Sequence, residues 1–155
     1  MRLRDFAPAD QDQVRTLVLA GLAGHWGSID QALNLDLHDI AESYGPGRTV
    51  VVENQDRIIG TGTVMPRTPD TAEIVRMSVD AAARRHGVGR WIVEALLDTA
   101  RRWGKTAVVL ETSAHWDEVV AFCLACGFRV THQTDGDFGR DTWFELRLEG
   151  SDPSD

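Results

Sequence analysis

Polar and apolar positions alternate over residues 2–6, which predicts a short first strand. Pro8 suits the first turn of a helix, where its missing N–H costs nothing. Val14, Leu17, Val18 and Leu22 then recur at i, i+3, i+4 and i+8, one face of an amphipathic helix. Residues 24–28 should break it, and residues 29–44 predict a second, poorer helix ending at Gly45-Pro46-Gly47. Residues 49–53 and 57–64 predict two strands joined by the polar turn Asn54-Gln55-Asp56. A loop over 66–70 leads to a fourth strand, 72–79.

The strongest periodicity follows. Ile92, Ala95, Leu96, Thr99, Ala100 and Trp103 trace a helical stripe that must lie on a sheet, and Gly104 ends the helix. Residues 106–112 form a continuous β-branched run, as in a strand covered on both faces. Residues 117–126 predict a short helix. Residues 128–132 and 142–148 predict closing strands around a loop at 133–141. The order β-α-α-β-β-β-α-β-α-β-β predicts a mixed sheet with helices on both faces. One domain should span 1–148, followed by a polar, frayed tail at 149–155.

Bulk properties narrow the function. A chain of 155 residues, 43% hydrophobic and 26% charged, can bury a core without disulfides. It has no apolar run of membrane-spanning length and no apolar signal core near Met1, so no membrane is expected and the cytoplasm is the default compartment. A net charge of −8 argues against nucleic acid. Arg76, Arg84, Arg85, Arg90, Arg101 and Arg102 cluster in sequence and predict a local basic patch suited to a small polyanion. Fifteen Arg against one Lys suits a GC-rich, bacterial coding sequence. Cys123-x-x-Cys126 sits late in a helix, where no dipole lowers a thiol pKa. No further ligands stand at zinc spacing, so no metal is expected.

The segment Arg84-Arg85-His86-Gly87-Val88-Gly89-Arg90 carries the most chemistry. It joins a strand to the opening of a helix, where free N–H groups and the helix dipole favour an anion. Its R-x-x-G-x-G spacing is neither the dinucleotide fingerprint nor a phosphate loop ending in Gly-Lys-Ser/Thr. With Ala72-Glu73-Ile74-Val75 before it and Gly127-Phe128 after it, the segment resembles the GNAT N-acetyltransferase superfamily, most densely over residues 72–128.

That resemblance implies an α/β (α+β) fold with a mostly antiparallel central sheet of about seven strands. It implies acetyl-coenzyme A as co-substrate and acetyl transfer to a small-molecule amine, with a peptide or protein acceptor, or a non-catalytic acyl-coenzyme A binding domain, as alternatives. A homodimer stays open. The cofactor would lie on the main chain of Met77, Ser78 and Val79, with Met77 and Val79 side chains in the core. Its pyrophosphate would be surrounded by Arg84, Arg85, His86, Gly87, Val88, Gly89 and Arg90, with Gly87 and Gly89 admitting the phosphates.

The amine must lose a proton to attack, because a free alkylamine has a pKa near 10. Glu73 matches the glutamate of histone-type members and is the candidate base; the bland alternative is an ion pair with Arg76 or another arginine, and Glu111 and Glu53 are rivals. The family's usual tyrosine acid is replaced by Cys123, so Cys123, His115 or water would protonate the departing thiolate, or the step needs no acid and Cys123 merely packs. Asp36, Asp39, Glu42, Asp135, Asp137 and Asp141 fall in segments expected to rim the acceptor site. They would steer a cation there, or simply be solvated.

Overall fold

A computed structural model describes residues 1–26, 36–84, 86–113, 117–136 and 139–148. The strands are β1 (Arg2–Asp5), β2 (Arg48–Asn54), β3 (Arg57–Pro66), β4 (Thr71–Val79), β5 (Ala107–Ser113), β6 (Arg129–Gly136) and β7 (Gly139–Arg147). The helices are α1 (Gln11–Trp26), α2 (Ile40–Ser43), α3 (Val88–Arg102) and α4 (Asp117–Ala125). A 3-10 turn at Pro8–Asp10 leads into α1.

The strands form one sheet in the order β1-β2-β3-β4-β5-β7-β6. Only the β4–β5 contact is parallel. That pair is joined through α3, as a parallel pair requires a crossover. The β2–β3 hairpin turns on Gln55 and Asp56 at φ 53° and 66°, the doubly left-handed conformation of a two-residue type I′ turn.

Alternation along the strands divides the core in two. Val50, Val52, Ala72, Ile74, Val108 and Leu110 face α3, whose Ile92, Leu96 and Ala100 are fully buried against them. Each such valine, leucine or isoleucine contributes about 1.5–3 kcal/mol of hydrophobic burial. On the other face Val51 and Ile58 pack with Val14 and Val18 of α1 and with Leu37 and Ile40.

Three expectations change. α1 continues past Gly24 to Trp26. A helix over 29–44 is not what the described part shows: a 3-10 turn at 36–38 and the single turn of α2, capped by the Asp39 carboxylate on the Glu42 N–H, occupy 36–43, and 27–35 lie outside the described residues. The loop expected at 133–141 is largely strand. Gln133 pairs with Thr142 and Gly136 with Gly139, because cross-strand pairing stabilises polar, threonine-containing stretches that show no apolar alternation. The tail from residue 149 lies outside the described residues.

Candidate active site

The parallel strands β4 and β5 stay together for three residue pairs, Thr71–Ala107, Ala72–Val108 and Glu73–Val109. Beyond Glu73 they part, which leaves the main chain of β4 towards Val79 without a β5 partner among the described residues. An extended ligand can add to such an edge as another strand does. The opening lies at the carboxyl ends of two parallel strands, where α/β sheets place ligands.

A β-bulge shapes that edge. Thr61 faces Ser78 but Thr63 faces Val75, so β4 carries one extra residue opposite β3. Arg76 stands there at φ 51°. A left-handed non-glycine residue costs about 1–2 kcal/mol, so its surroundings must impose it. The extra residue resets the alternation. Ala72 and Ile74 face α3 before it, Met77 and Val79 pack on the same core after it, and Ser78 turns to α1, where its hydroxyl reaches the Leu17 carbonyl at 3.4 Å.

After β4, Asp80 caps a 3-10 turn at Ala81–Ala83 and α3 begins at Val88. Gly87 is its N-cap at φ 80°, and the Trp91 N–H is the first to bond back, to the Gly87 carbonyl at 3.0 Å. The N–H groups of Val88, Gly89 and Arg90 precede that bond, at the positive end of a 15-residue helix, where an anion is favoured.

The two glycines have different reasons. Space around Gly87 is open, and its backbone conformation is what demands glycine. A Cβ on Gly89 would stand 3.1 Å from the Phe122 ring and 3.3 Å from Met77 Cε, so packing among α3, α4 and β4 accounts for it without a phosphate. Val88 is buried in the core, and only its main chain is available to a ligand.

The basic patch disperses in three dimensions. Arg76 turns to Asp36 on the α1 side, Arg101 pairs with Asp98, and Arg102 bonds the Thr99 hydroxyl. Arg84 donates to the Val79 carbonyl at 3.3 Å and lines a cleft of about 480 Å³ with Asp12, Thr16 and Leu17 of α1. Arg90 stays at the mouth of α3, 3.5 Å from Glu94 and largely exposed; His86 is exposed, and Arg85 lies outside the described residues.

Three carboxylates gather where the strands part. Glu73 accepts from Arg67 Nε at 2.7 Å, the arginine pairing expected of a strand carboxylate. Glu111 lies two residues beyond Val109, the β5 partner of Glu73, and Ser113 pairs with Asp141. Loss of water around the Glu111 carboxyl, then the negative charges of Asp141 and Glu73, push it above the ordinary glutamate range. Glu53 is occupied elsewhere, by Arg2 and Arg4 at 3.2 Å each on the β1–β2 side.

Cys123 is 3% exposed within the α3-side core, and burial, then Cys126, pushes its thiol up to about 12. His115 and Asp137 lie outside the described residues.

Sequence reading missed one cluster. The Arg76 guanidinium grips Asp36 through Nε at 2.8 Å and Nη2 at 2.7 Å, and the Tyr44 hydroxyl donates to the same carboxylate. Burial alone would raise the Asp36 carboxyl, but these bonds hold it below the aspartate range. Burial, then Asp36, raises Tyr44 to about 12. No local pattern could reveal a pair 40 residues apart on a strand whose bulge is itself tertiary. Asp36 and Asp39 are therefore structural partners more than a free acidic rim.

The chain resembles rat N-acetyltransferase 8F1, with 32% identity over 76% of this chain and 57% of that protein. It thus spans little more than half the length of that relative. The fold superposes on a GNAT-family acetyltransferase from Staphylococcus aureus with a TM-score of 0.85 at 17% identity, covering 96% of this chain and 99% of the other. It also superposes on an aminoglycoside 6′-N-acetyltransferase complexed with coenzyme A, with a TM-score of 0.75 at 16% identity, covering 95% and 97%. The sequence pattern of the Acetyltransferase (GNAT) family matches residues 13–128, and with the parted parallel strands and the free helix start at their end, this chain belongs to that family.

Proposed function

We propose that the chain is an acetyl-coenzyme A-dependent N-acetyltransferase that passes the acetyl group directly to the primary amine of a small molecule in a ternary complex. One observation carries the reading: β4 and β5 part after three pairs, and the N-terminus of the 15-residue helix α3 opens beyond β4. The aminoglycoside enzyme that shares the fold holds coenzyme A and is named for a small-molecule acceptor.

In this reading the pyrophosphate sits on the N–H groups of Val88, Gly89 and Arg90, and the thioester arm runs along Met77, Ser78 and Val79. The amine nitrogen attacks the thioester carbonyl, whose oxygen gains negative charge and is met by a main-chain N–H of that strip. The C–S bond then breaks and coenzyme A leaves as the thiolate. Glu73 or Glu111 accepts the amine's proton. Glu111, already shifted towards neutrality and less committed to an arginine, joins Glu73 as a base candidate on equal terms. Cys123 packs. Burial holds its thiol above an ordinary one and makes it a poor proton donor to a leaving thiolate, so coenzyme A departs as the thiolate without a protein acid.

A peptide or protein acceptor is the second reading, favoured by Ala72-Glu73-Ile74-Val75 at the head of β4. Sheet edge β6 is exposed over residues 129–135, and a homodimer would extend the sheet there. The two cysteines, free thiols, suit the reducing cytoplasm we assign to the chain. A transfer assay with acetyl-coenzyme A over matched panels of small amines and peptides tests the reading. Acetylation confined to small amines supports it, preference for peptides replaces it with the second, and cofactor binding without turnover on either panel ends the catalytic claim.

A further inference from the structure

We propose that Arg76 is a positioning residue, and that its clamp on Asp36 and Tyr44 holds the β4 bulge in the conformation that sets the Met77–Val79 main chain for the reaction. The proposal rests on the acetyltransferase reading above.

The bulge and the clamp are one unit. Arg76 is the extra residue of β4 and sits at φ 51°, where a side chain of its kind is disfavoured. Nothing about an arginine prefers that conformation. What distinguishes this one is its side chain, fixed by two charge-assisted bonds of 2.8 and 2.7 Å to a carboxylate that Tyr44 also engages. Both charged partners are shielded, with 23% and 28% of their side-chain surfaces exposed.

If Arg76 relaxed to an ordinary strand conformation, the alternation would slip by one residue. Met77 and Val79 would leave the α3 core, and Ser78 would leave α1. The strip that meets the thioester is the strip that would turn over. The clamp also crosses the molecule: Asp36 precedes α2 and Tyr44 ends it, so the segment expected to rim the acceptor site is tied to the strand expected to hold the acetyl group. A misplacement of about 1 Å at a reacting centre can cost about 10²-fold in rate.

The test compares Arg76→Ala, Arg76→Gly and Asp36→Asn. Glycine reaches positive φ without a clamp, so Arg76→Gly should keep the bulge while Arg76→Ala loses it. Arg76→Ala and Asp36→Asn should lower kcat about 10–10²-fold with the KM for acetyl-coenzyme A changed less than about threefold. Arg76→Gly should recover most of that rate, and adding Asp36→Asn to it should cost little more. If the Gly variant is as slow as the Ala variant, the guanidinium acts by its charge and the positioning role fails.

Hydrogen exchange of the Ser78 amide, on the residue that faces Thr61 of β3, gives a readout independent of turnover. It should quicken about tenfold in Arg76→Ala and Asp36→Asn but stay near the parent in Arg76→Gly; unchanged exchange in all three overturns the clamp. A parent protein that neither binds nor turns over acetyl-coenzyme A would sink the acetyltransferase reading instead, with the exchange data still judging the clamp.

Discussion

Gly87 offers the sharpest check on the candidate anion site, because its two possible reasons to be glycine predict different things. It stands at φ 80° with nothing within 4 Å of a hypothetical Cβ. Gly87→Ala therefore costs backbone strain and no clash. A left-handed alanine costs about 1–2 kcal/mol, and a domain of this size loses about 2–4 °C of melting temperature per kcal/mol, so the melt should fall by about 2–8 °C. Gly87→Asn should lose less, since asparagine tolerates the left-handed region.

Coenzyme A then separates strain from site. At a hundredfold excess over its Kd a ligand stabilises the folded state by about 2.7 kcal/mol, which is about 5–11 °C here. Any side chain at Gly87 projects into the open space at the start of α3, so both variants should lose much of that ligand-induced shift. Differential scanning fluorimetry with and without coenzyme A, backed by calorimetric titration, measures both effects. An alanine variant that melts like the parent refutes the strain argument. Full ligand-induced shifts in both variants refute the placement of the pyrophosphate.

Three other substitutions test the remaining assignments. Cys123→Ala should lower stability by about 1 kcal/mol, as for a small buried group, and leave kcat intact; lost rate with an unchanged melt would restore the thiol as the acid. Replacing Glu73 or Glu111 by Gln should cost about 10²–10⁴-fold in kcat at whichever is the base, with the KM for acetyl-coenzyme A little changed, and only that variant should lose the acidic limb of the pH–rate profile. Asp10, 6% exposed, accepts two bonds from Arg4 and one from the Ala7 N–H, and the Arg4 bond chiefly holds it below the aspartate range. Its contribution is thus present above the ordinary value of about 3.9 and lost as pH falls through the lower folded value. Asp10→Asn should cost about 1–3 kcal/mol in urea unfolding at pH 7, and the gap to the parent should narrow in acid.

Local pattern was enough wherever one residue's neighbours in sequence are also its neighbours in space. The α3 stripe is such a case: Ile92, Leu96 and Ala100 recur at helical spacing because one face meets the sheet, so periodicity alone located the helix, and Gly104 its end. The order of elements along the chain and the helix-opening glycine loop were legible for the same reason.

What depends on cross-strand partners was not legible. Residues 133–141 carry no apolar alternation, because β6 is exposed and owes its strand conformation to pairing with β7. The bulge at Arg76 exists only relative to β3, and its guanidinium is held by a carboxylate 40 residues earlier. Arginines adjacent in sequence looked like one basic patch, yet strand alternation and helix pitch send them to separate partners. Likewise Gly89 read as room for a phosphate, whereas Phe122 and Met77, brought in by α4 and β4, already crowd it. The chain by itself determined most of the elements and the glycine loop that opens α3. Tertiary packing decided which groups there remain free, because freedom is what is left after distant partners have been satisfied.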